Sequence, residues 1–318
     1  RDIGVTGVQT CALPIFVEVF TDNQGDHDHK IVGFLKSQTN DGNQGVWRDI
    51  KVAGNFACMG SELINHGMQI FDMKRLLNVQ CDNNGNSANY YCKQFSPDAV
   101  YMGVSKSHNI VASADPNYVF VVGAKNKCNG GLHAVDLSNP NNPQAAGCFS
   151  QDGYVHDAHC VKYIGPDSRY TNKEICACFN EDTVTMVDAT DKGNMKQISR
   201  TNYDDNWYTH QGWFSTDQKY IIFGDELDEW KQKGNAKKGT RTIMMDVRNL
   251  QSPTNVQEFI SETSLSIDHN QYVINARDLG YDSDDDVVYQ ANYQAGMRIL
   301  RVTDYSTGNG VQEIGWFD

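Results

Sequence analysis

The sequence lacks the signatures of several common protein classes. No apolar stretch of about 18 residues is present, so the sequence contains no transmembrane helix. No segment keeps helical periodicity over three turns, and the GxSxG, P-loop and Rossmann glycine motifs are absent. Basic residues are also few, 27 against 40 acidic ones, for a net charge of −13. This charge argues against binding to nucleic acid or an anionic membrane surface.

The sequence does contain an internal repeat that is marked by a dipeptide. Each of five copies has a basic residue followed by Asp, Asn or Gln, and successive basic residues are 60, 48, 54 and 59 positions apart. A recurrence at this spacing indicates a repeat architecture. The five pairs are Arg48-Asp49, His108-Asn109, His156-Asp157, His210-Gln211 and His269-Asn270.

A second pattern keeps step with the dipeptide. An apolar segment, usually led by Gly and usually ending in Asp, follows each dipeptide; the five lie at 67–72, 131–136, 183–188, 240–246 and 296–301. A turn rich in Asn, Ser, Pro or Gly and another short apolar run come next. Short β-prone runs between turn signals indicate strands joined by hairpins. The sequence therefore predicts an all-β fold.

Four strands in each repeat, at this period, predict the blades of a β-propeller. A single blade cannot bury both of its faces, whereas blades stacked around an axis can. The competing interpretation is a pair of β-sandwich domains, but a sandwich has no reason to repeat one motif five times. We expect seven blades in the intact protein and about five and a half in this chain.

The two ends of the chain fall outside the regular pattern. Residues 1–15 look like a translated sequencing-adapter remnant and are excluded as non-native, although an ordinary N-terminal strand is the alternative. Residues 16–318 are predicted to be one propeller domain, truncated at both ends. It would begin with half a blade, whose strands lie near 16–20 and 31–35.

The nine cysteines suggest an oxidising environment. Three pairs are close enough in sequence to form disulfides, each contributing about 3 kcal/mol in the chain-entropy model. Such use of cysteine is typical of extracellular proteins, and reduced core cysteines in a cytosolic protein are the alternative. Cys58 and Cys178 have no evident partner and are predicted to be core residues. The candidate pairs are Cys81–Cys92, Cys128–Cys148 and Cys160–Cys176.

The repeated histidines have two interpretations. If each dipeptide begins the innermost strand of its blade, His108, His156, His210 and His269 converge at one mouth of the central channel and can ligate a transition metal there. The favoured alternative is structural: each His hydrogen-bonds to the neighbouring blade, and the residue after it satisfies buried backbone groups. Arg48 cannot bind a metal, and His159 could join either network.

Two acidic runs, at 225–229 and 282–286, are weaker candidates for a Ca²⁺ site. Neither has EF-hand spacing. The favoured interpretation for both runs is a solvated loop.

Longer motifs resemble a known family. Segments such as GGLHAVDLSNPNNPQAAGCFS, GYVHDAHCV, NEDTVTMVD, IDHNQYV and YQANYQAGMRIL resemble the choice-of-anchor B family of LVIVD-repeat proteins over roughly residues 16 to 318. The resemblance implies a secreted or surface-attached β-propeller without an established catalytic activity. Family cysteines are matched at Cys128, Cys148, Cys160 and Cys176, whereas Cys58 and Cys178 depart from the pattern.

These observations predict a non-catalytic propeller, extracellular or at the cell surface, that serves as a binding or adhesion module. Its ligand would be a protein or a glycan, and no cofactor is firmly implied. Whether the chain is an enzyme stays open, with a non-enzyme favoured. The alternative function is a metal-dependent enzyme with a site in the histidine-lined channel.

Overall fold

The computed structural model describes residues 2–6, 15–21, 27–39, 47–80, 92–262 and 265–317. Across these ranges, 24 strands form six four-stranded sheets, and the helical segments are short 3₁₀ turns. Within the same ranges no helix has the length and apolar character that a bilayer span requires. The predicted all-β fold is confirmed. The chain divides into two compact units, Arg1–Cys148 and Phe149–Asp318.

The first unit contains three of the sheets. In the first sheet β1 (Asp2–Thr6), β2 (Ile15–Thr21) and β3 (His27–Leu35) are antiparallel, and β7 (Lys93–Phe95) joins β3 in parallel. The second sheet contains β4 (Arg48–Ala53), β5 (Phe56–Ser61), β6 (Met68–Asp72) and β8 (Ala99–Tyr101). The third contains β9 (Asn109–Ala112), β10 (Tyr118–Val122), β11 (His133–Asp136) and β12 (Gln144–Cys148).

The expected half blade corresponds to β2 and β3, which β1 and β7 complete to four strands. The interpretation of residues 1–15 as non-native stays a prediction from the sequence.

The second unit also contains three sheets, each formed by four consecutive antiparallel strands. The first has β13 (Asp157–Lys162), β14 (Glu174–Phe179), β15 (Val184–Asp188) and β16 (Lys196–Thr201). The second has β17 (Thr209–Phe214), β18 (Tyr220–Asp225), β19 (Thr240–Asp246) and β20 (Thr254–Ser261). The third has β21 (Gln271–Asn275), β22 (Asp286–Ala291), β23 (Met297–Val302) and β24 (Val311–Phe317).

Strand β18 shows why these sheets pack in sequence order. Its side chains alternate between the two faces of the sheet, as the pleat requires. Ile221 and Phe223 enter an apolar cluster shared with the preceding sheet, where Phe179 and Met186 lie. Ile222 enters a second cluster, shared with the following sheet. Each face is therefore buried against a different neighbour, as in the blades of a propeller.

The aspartate that ends the third strand of a repeat begins a turn. Its side chain accepts a hydrogen bond from the backbone N–H two residues later, which is the Asx turn that this residue favours. This local bond explains why the apolar segment so often ends in Asp. The bonds are Asp72 to Lys74 (2.9 Å), Asp136 to Ser138 (2.7 Å), Asp188 to Thr190 (3.2 Å) and Asp246 to Arg248 (3.0 Å).

Two of the predicted disulfides are present. Cys128 and Cys148 are bonded with their Cα atoms 5.3 Å apart, within the first unit. Cys160 and Cys176 are bonded with Cα atoms 4.0 Å apart and lie directly opposite each other in β13 and β14. The third predicted pair involves Cys81, which lies outside the described residues. Cys58 and Cys178 are free and buried, as expected of core residues.

Candidate functional site

Three of the five marker dipeptides come together in the second unit. The first strands of its sheets lie side by side, β13 against β17 and β17 against β21. Each dipeptide stands at or just before the start of its strand. His156, His210 and His269 therefore form a row, in which successive ring centroids are 4.3 and 4.5 Å apart. We call these three side chains the histidine row.

The Nδ1 atoms of the row join neighbouring sheets. His156 Nδ1 lies 3.2 Å from the backbone oxygen of His210, and His210 Nδ1 lies 3.0 Å from the backbone oxygen of His269. Because a carbonyl oxygen can only accept, Nδ1 carries the hydrogen in both bonds. In a neutral ring the lone pair is then on Nε2. The structural and the metal-binding interpretations therefore use different nitrogens of the same ring and do not exclude each other.

The second residue of the dipeptide bonds to the backbone of the next sheet in two repeats. Gln211 donates to the backbone oxygen of Gln271 (3.0 Å) and accepts from its N–H (2.8 Å). In the first unit, Asp49 Oδ2 accepts from the N–H of Ile110 at 3.0 Å. The structural interpretation of the dipeptide predicts contacts of this kind, in which the second residue satisfies backbone groups.

One carboxylate faces two members of the histidine row. Glu226 Oε2 lies 3.5 Å from His210 Nε2, and Glu226 Oε1 lies 3.7 Å from His269 Nε2. One potential ligand atom from each of His156, His210 and Glu226 lies within 4.8 Å of the other two. His156 and His210 are 3% and 1% exposed. The second unit thus contains a compact and mostly buried group of nitrogen and oxygen atoms of the kinds that ligate metals.

Two tyrosines border this group. The Tyr293 hydroxyl donates to Glu226 Oε1 at 2.6 Å, and its ring meets the His269 ring edge-on with centroids 5.1 Å apart. Burial, and then the bond to Glu226, raises the pKa of Tyr293, so this hydroxyl keeps its proton and remains a donor. Tyr208 donates to Glu181 Oε1 at 3.0 Å and meets the His156 ring edge-on at 5.4 Å.

Exposed aromatic side chains lie beside the same segment. The backbone N–H of Trp207 donates to Asp225 Oδ2 at 2.7 Å, and the Tyr293 hydroxyl bonds to the next residue, Glu226. Trp230 is connected to Trp207 through the Lys231 ammonium, which lies 4.0 Å from one indole ring and 5.4 Å from the other. Trp207, Trp230 and Tyr293 are 43%, 66% and 52% exposed. We call these three the aromatic surface.

The acidic run at 225–229 is not a solvated loop, so the expectation for it was wrong. Asp225 and Asp228 are fully buried, and Glu229 is nearly so. The run folds inward because the equally buried Arg241 donates to Asp228 at 2.8 Å. Asp268 lies in the same pocket, and neither of its carboxyl oxygens has a hydrogen-bond partner among the described residues. Burial, followed by the charges of Asp228 and Asp225, raises the pKa of Asp268 well above its usual range.

The other acidic run, at 282–286, has its carboxylates engaged by the protein. Asp284 pairs with Arg277, and Asp285 pairs with Arg301. Asp286 is buried and accepts from the Tyr305 hydroxyl at 2.7 Å. That a Ca²⁺ ion binds at either acidic run stays a prediction.

The remaining sequence candidates lie apart from the histidine row or in the other unit. His159 stacks on Trp213 with ring centroids 3.6 Å apart, and its Nδ1 accepts from the Phe214 N–H at 3.0 Å. His108 is in the first unit, where its Nδ1 bonds to Glu62 Oε1 at 2.7 Å. That bond lowers the pKa of Glu62. Arg48 donates to Ser37 Oγ at 2.7 Å.

Sequence reasoning missed the glutamate that follows the second strand of a repeat. Glu62 comes after β5, Glu181 after β14 and Glu226 after β18, one or two residues past the strand end. Each contacts a residue near the start of the next first strand: His108, Tyr208 and His269, respectively. The signal was available as a second repeating position. It is weak, because the glutamate occurs in three of the five repeats and has no apolar run of its own to mark it.

Comparison with known proteins supports the fold. The chain resembles a solved protein from Lactobacillus plantarum (10% identity, TM-score 0.54, covering 99% of this chain and 81% of that one). It also resembles the periplasmic gluconolactonase PpgL of Pseudomonas aeruginosa (10% identity, TM-score 0.55, 96% and 77%). No family model and no curated protein matches the sequence. At these identities the likeness shows the fold alone: the chain is an all-β protein of the β-propeller class.

Proposed function

We propose that this chain is part of a non-catalytic β-propeller of the choice-of-anchor B class, which binds a protein or glycan ligand outside the cell or at its surface. The LVIVD-like third strands and the motifs quoted above support the class. The proposal treats residues 16–318 as one propeller domain.

The observation that most supports ligand binding is the aromatic surface. Trp and Tyr are the side chains most enriched at the centres of binding interfaces, because they combine a large apolar area with a polar atom. Trp207 and Trp230 expose much of their indole rings instead of burying them in a core. Two exposed indoles linked through Lys231, and an exposed tyrosine bonded to Glu226 nearby in sequence, are a concentration of exposed aromatic area that folding alone does not require.

The state of the cysteines supports an extracellular location and argues against a cysteine nucleophile. Two disulfides are formed in the described residues, which fits an oxidising environment. The free Cys58 is fully buried, and burial raises its pKa to about 12. Burial also raises the pKa of Cys178. Neither thiol has the exposure or the thiolate character that a nucleophile needs.

The test is binding of the purified protein to an array of immobilised oligosaccharides and purified cell-surface proteins. We expect the wild type to bind at least one class, and the double variant Trp207→Ala/Trp230→Ala to lose about 30-fold or more in affinity, as for interface hot spots. Trp316→Ala is the matched control, since Trp316 is 63% exposed but lies on the outer strand β24. Binding that is equal in wild type and double variant would contradict the proposal.

A further inference from the structure

We propose that His156, His210 and Glu226 bind a divalent first-row transition metal, with Zn²⁺ as the best match. This site shares Tyr293 with the aromatic surface but does not include Trp207 or Trp230, the residues changed in the test of ligand binding.

The separation between the donor atoms supports a shared ion. At 3.5 Å, His210 Nε2 and Glu226 Oε2 are too far apart for a good hydrogen bond. Two ligands on a tetrahedral Zn²⁺ with bonds of about 2.0–2.1 Å are separated by about 3.3–3.4 Å. His156 also offers a ligand atom within 4.8 Å of those of His210 and Glu226. The separation between His210 and Glu226 fits two ligands of one ion better than partners in a direct contact.

The outer contacts of the donors are those of metal ligands. A metal-binding histidine normally donates its other N–H to a carbonyl or carboxylate, which fixes the ring and its tautomer. His156 and His210 do so through Nδ1 to backbone oxygens of the next sheet. A ligating carboxylate is itself usually hydrogen-bonded, and Glu226 accepts from the Tyr293 hydroxyl. The rings are held before any ion arrives, so little side-chain ordering would oppose binding.

The donor set also selects the class of metal. Two imidazoles and one carboxylate suit Zn²⁺ and its neighbours in the first row, whereas Ca²⁺ and Mg²⁺ prefer oxygen ligands alone. Among the described residues, two other groups contain suitable residue types, around Cys128 and around Cys160. Both of those groups contain a disulfide, whose sulfur atoms are not thiolate ligands.

Titration calorimetry of the chelator-treated full chain with ZnCl₂ tests the proposal. We expect one Zn²⁺ per chain, with binding about 100-fold or more weaker in Glu226→Gln and about 10- to 100-fold weaker in Tyr293→Phe, which removes only an outer contact. Glu62→Gln is the matched control, because Glu62 follows the second strand of its repeat as Glu226 does and bonds to His108. It should bind Zn²⁺ like the wild type.

Three outcomes would overturn the proposal: no stoichiometric Zn²⁺, unchanged affinity in Glu226→Gln, or an equal loss in Glu62→Gln. Circular dichroism of each variant confirms that it is folded. The Trp207→Ala/Trp230→Ala variant should keep its Zn²⁺ even where it loses its ligand, so failure of the metal site and failure of the binding function are separable.

Discussion

The same two repeat positions are used differently in the two units. In the first unit, His108 Nδ1 is hydrogen-bonded directly to Glu62 Oε1 at 2.7 Å. In the second unit, His269 occupies the position of His108 and turns Nε2 towards Glu226 at 3.7 Å. His210 of the preceding repeat turns its Nε2 towards the same carboxylate at 3.5 Å. Residue type and position in the repeat are alike, but the nitrogen that faces the carboxylate differs. The repeat therefore predicts the position of each histidine but not which of its ring nitrogens faces the carboxylate.

The largest predicted effect on stability comes from truncating the two histidines. His210 is buried, packs between two other imidazole rings and bonds to the neighbouring sheet. His210→Ala should lower the free energy of unfolding by about 3 kcal/mol through a cavity and a lost hydrogen bond. His108→Ala should cost less, about 2 kcal/mol, because His108 is also buried but its partner Glu62 is partly exposed and can be hydrated when the bond is lost. Urea unfolding of both variants measures the difference, and equal costs would contradict the comparison.

A smaller, opposite effect is expected at the residue before the histidine. Asp268 precedes His269 and is a buried carboxyl group without a hydrogen-bond partner among the described residues, whereas neutral Ser107 precedes His108. The pKa of Asp268 is raised in the folded state. Its contribution to the free energy of unfolding is therefore most favourable below the pKa that it has in the unfolded chain, and it is lost as pH rises towards the pKa of the folded state. Asp268→Asn should therefore raise the free energy of unfolding by about 2 kcal/mol at pH 8.

That gain should shrink as pH falls towards the ordinary aspartate pKa of about 3.9, and it should disappear near pH 2 to 3, where the wild-type carboxyl group is protonated in both states. Thermal unfolding across this pH range measures it. Asp217→Asn, a change of the same type at a half-exposed site, should show no gain. A destabilised Asp268→Asn variant at pH 8 would show that the charged form is accommodated in the pocket.

The smallest effect should come from Glu62, with the opposite dependence on pH. Its pKa is lowered in the folded state, so its stabilising contribution is present above the unfolded pKa and is lost as pH falls through the folded value. Glu62→Gln should cost about 0.5–1 kcal/mol at pH 7 and nothing at low pH. Urea unfolding at both pH values gives the result; a cost that persists in acid would mean that packing, and not charge, holds His108.

Much of the fold could be predicted because it depends on local patterns. The third strands β6, β15 and β19 were recognisable from their apolar runs, and the terminal Asp of each is explained by a bond two residues along the chain. The two observed disulfides close short loops and could be proposed from spacing alone. Local rules of this kind involve residues of one hairpin, so a short stretch of sequence contains all the residues that take part.

The site could be predicted only in part, because its contacts join residues far apart in the chain. The repeat predicts that His156, His210 and His269 lie together. The position of Glu226 near them, and its hydrogen bond from Tyr293, depend on where the ends of two sheets meet. The acidic run at 225–229 was misjudged for the same reason, since the buried Arg241 that draws Asp228 inward comes 13 residues later.

On the proposal made above, Glu226 shares an ion with His156 and His210, whereas Glu62 bonds directly to His108. Anomalous diffraction at the zinc edge, from crystals grown with ZnCl₂, distinguishes the two arrangements. We expect one strong peak about 2.0–2.2 Å from His210 Nε2 and from a carboxylate oxygen of Glu226. A peak at Glu62 and His108, or no peak at Glu226 at full zinc saturation, would contradict it.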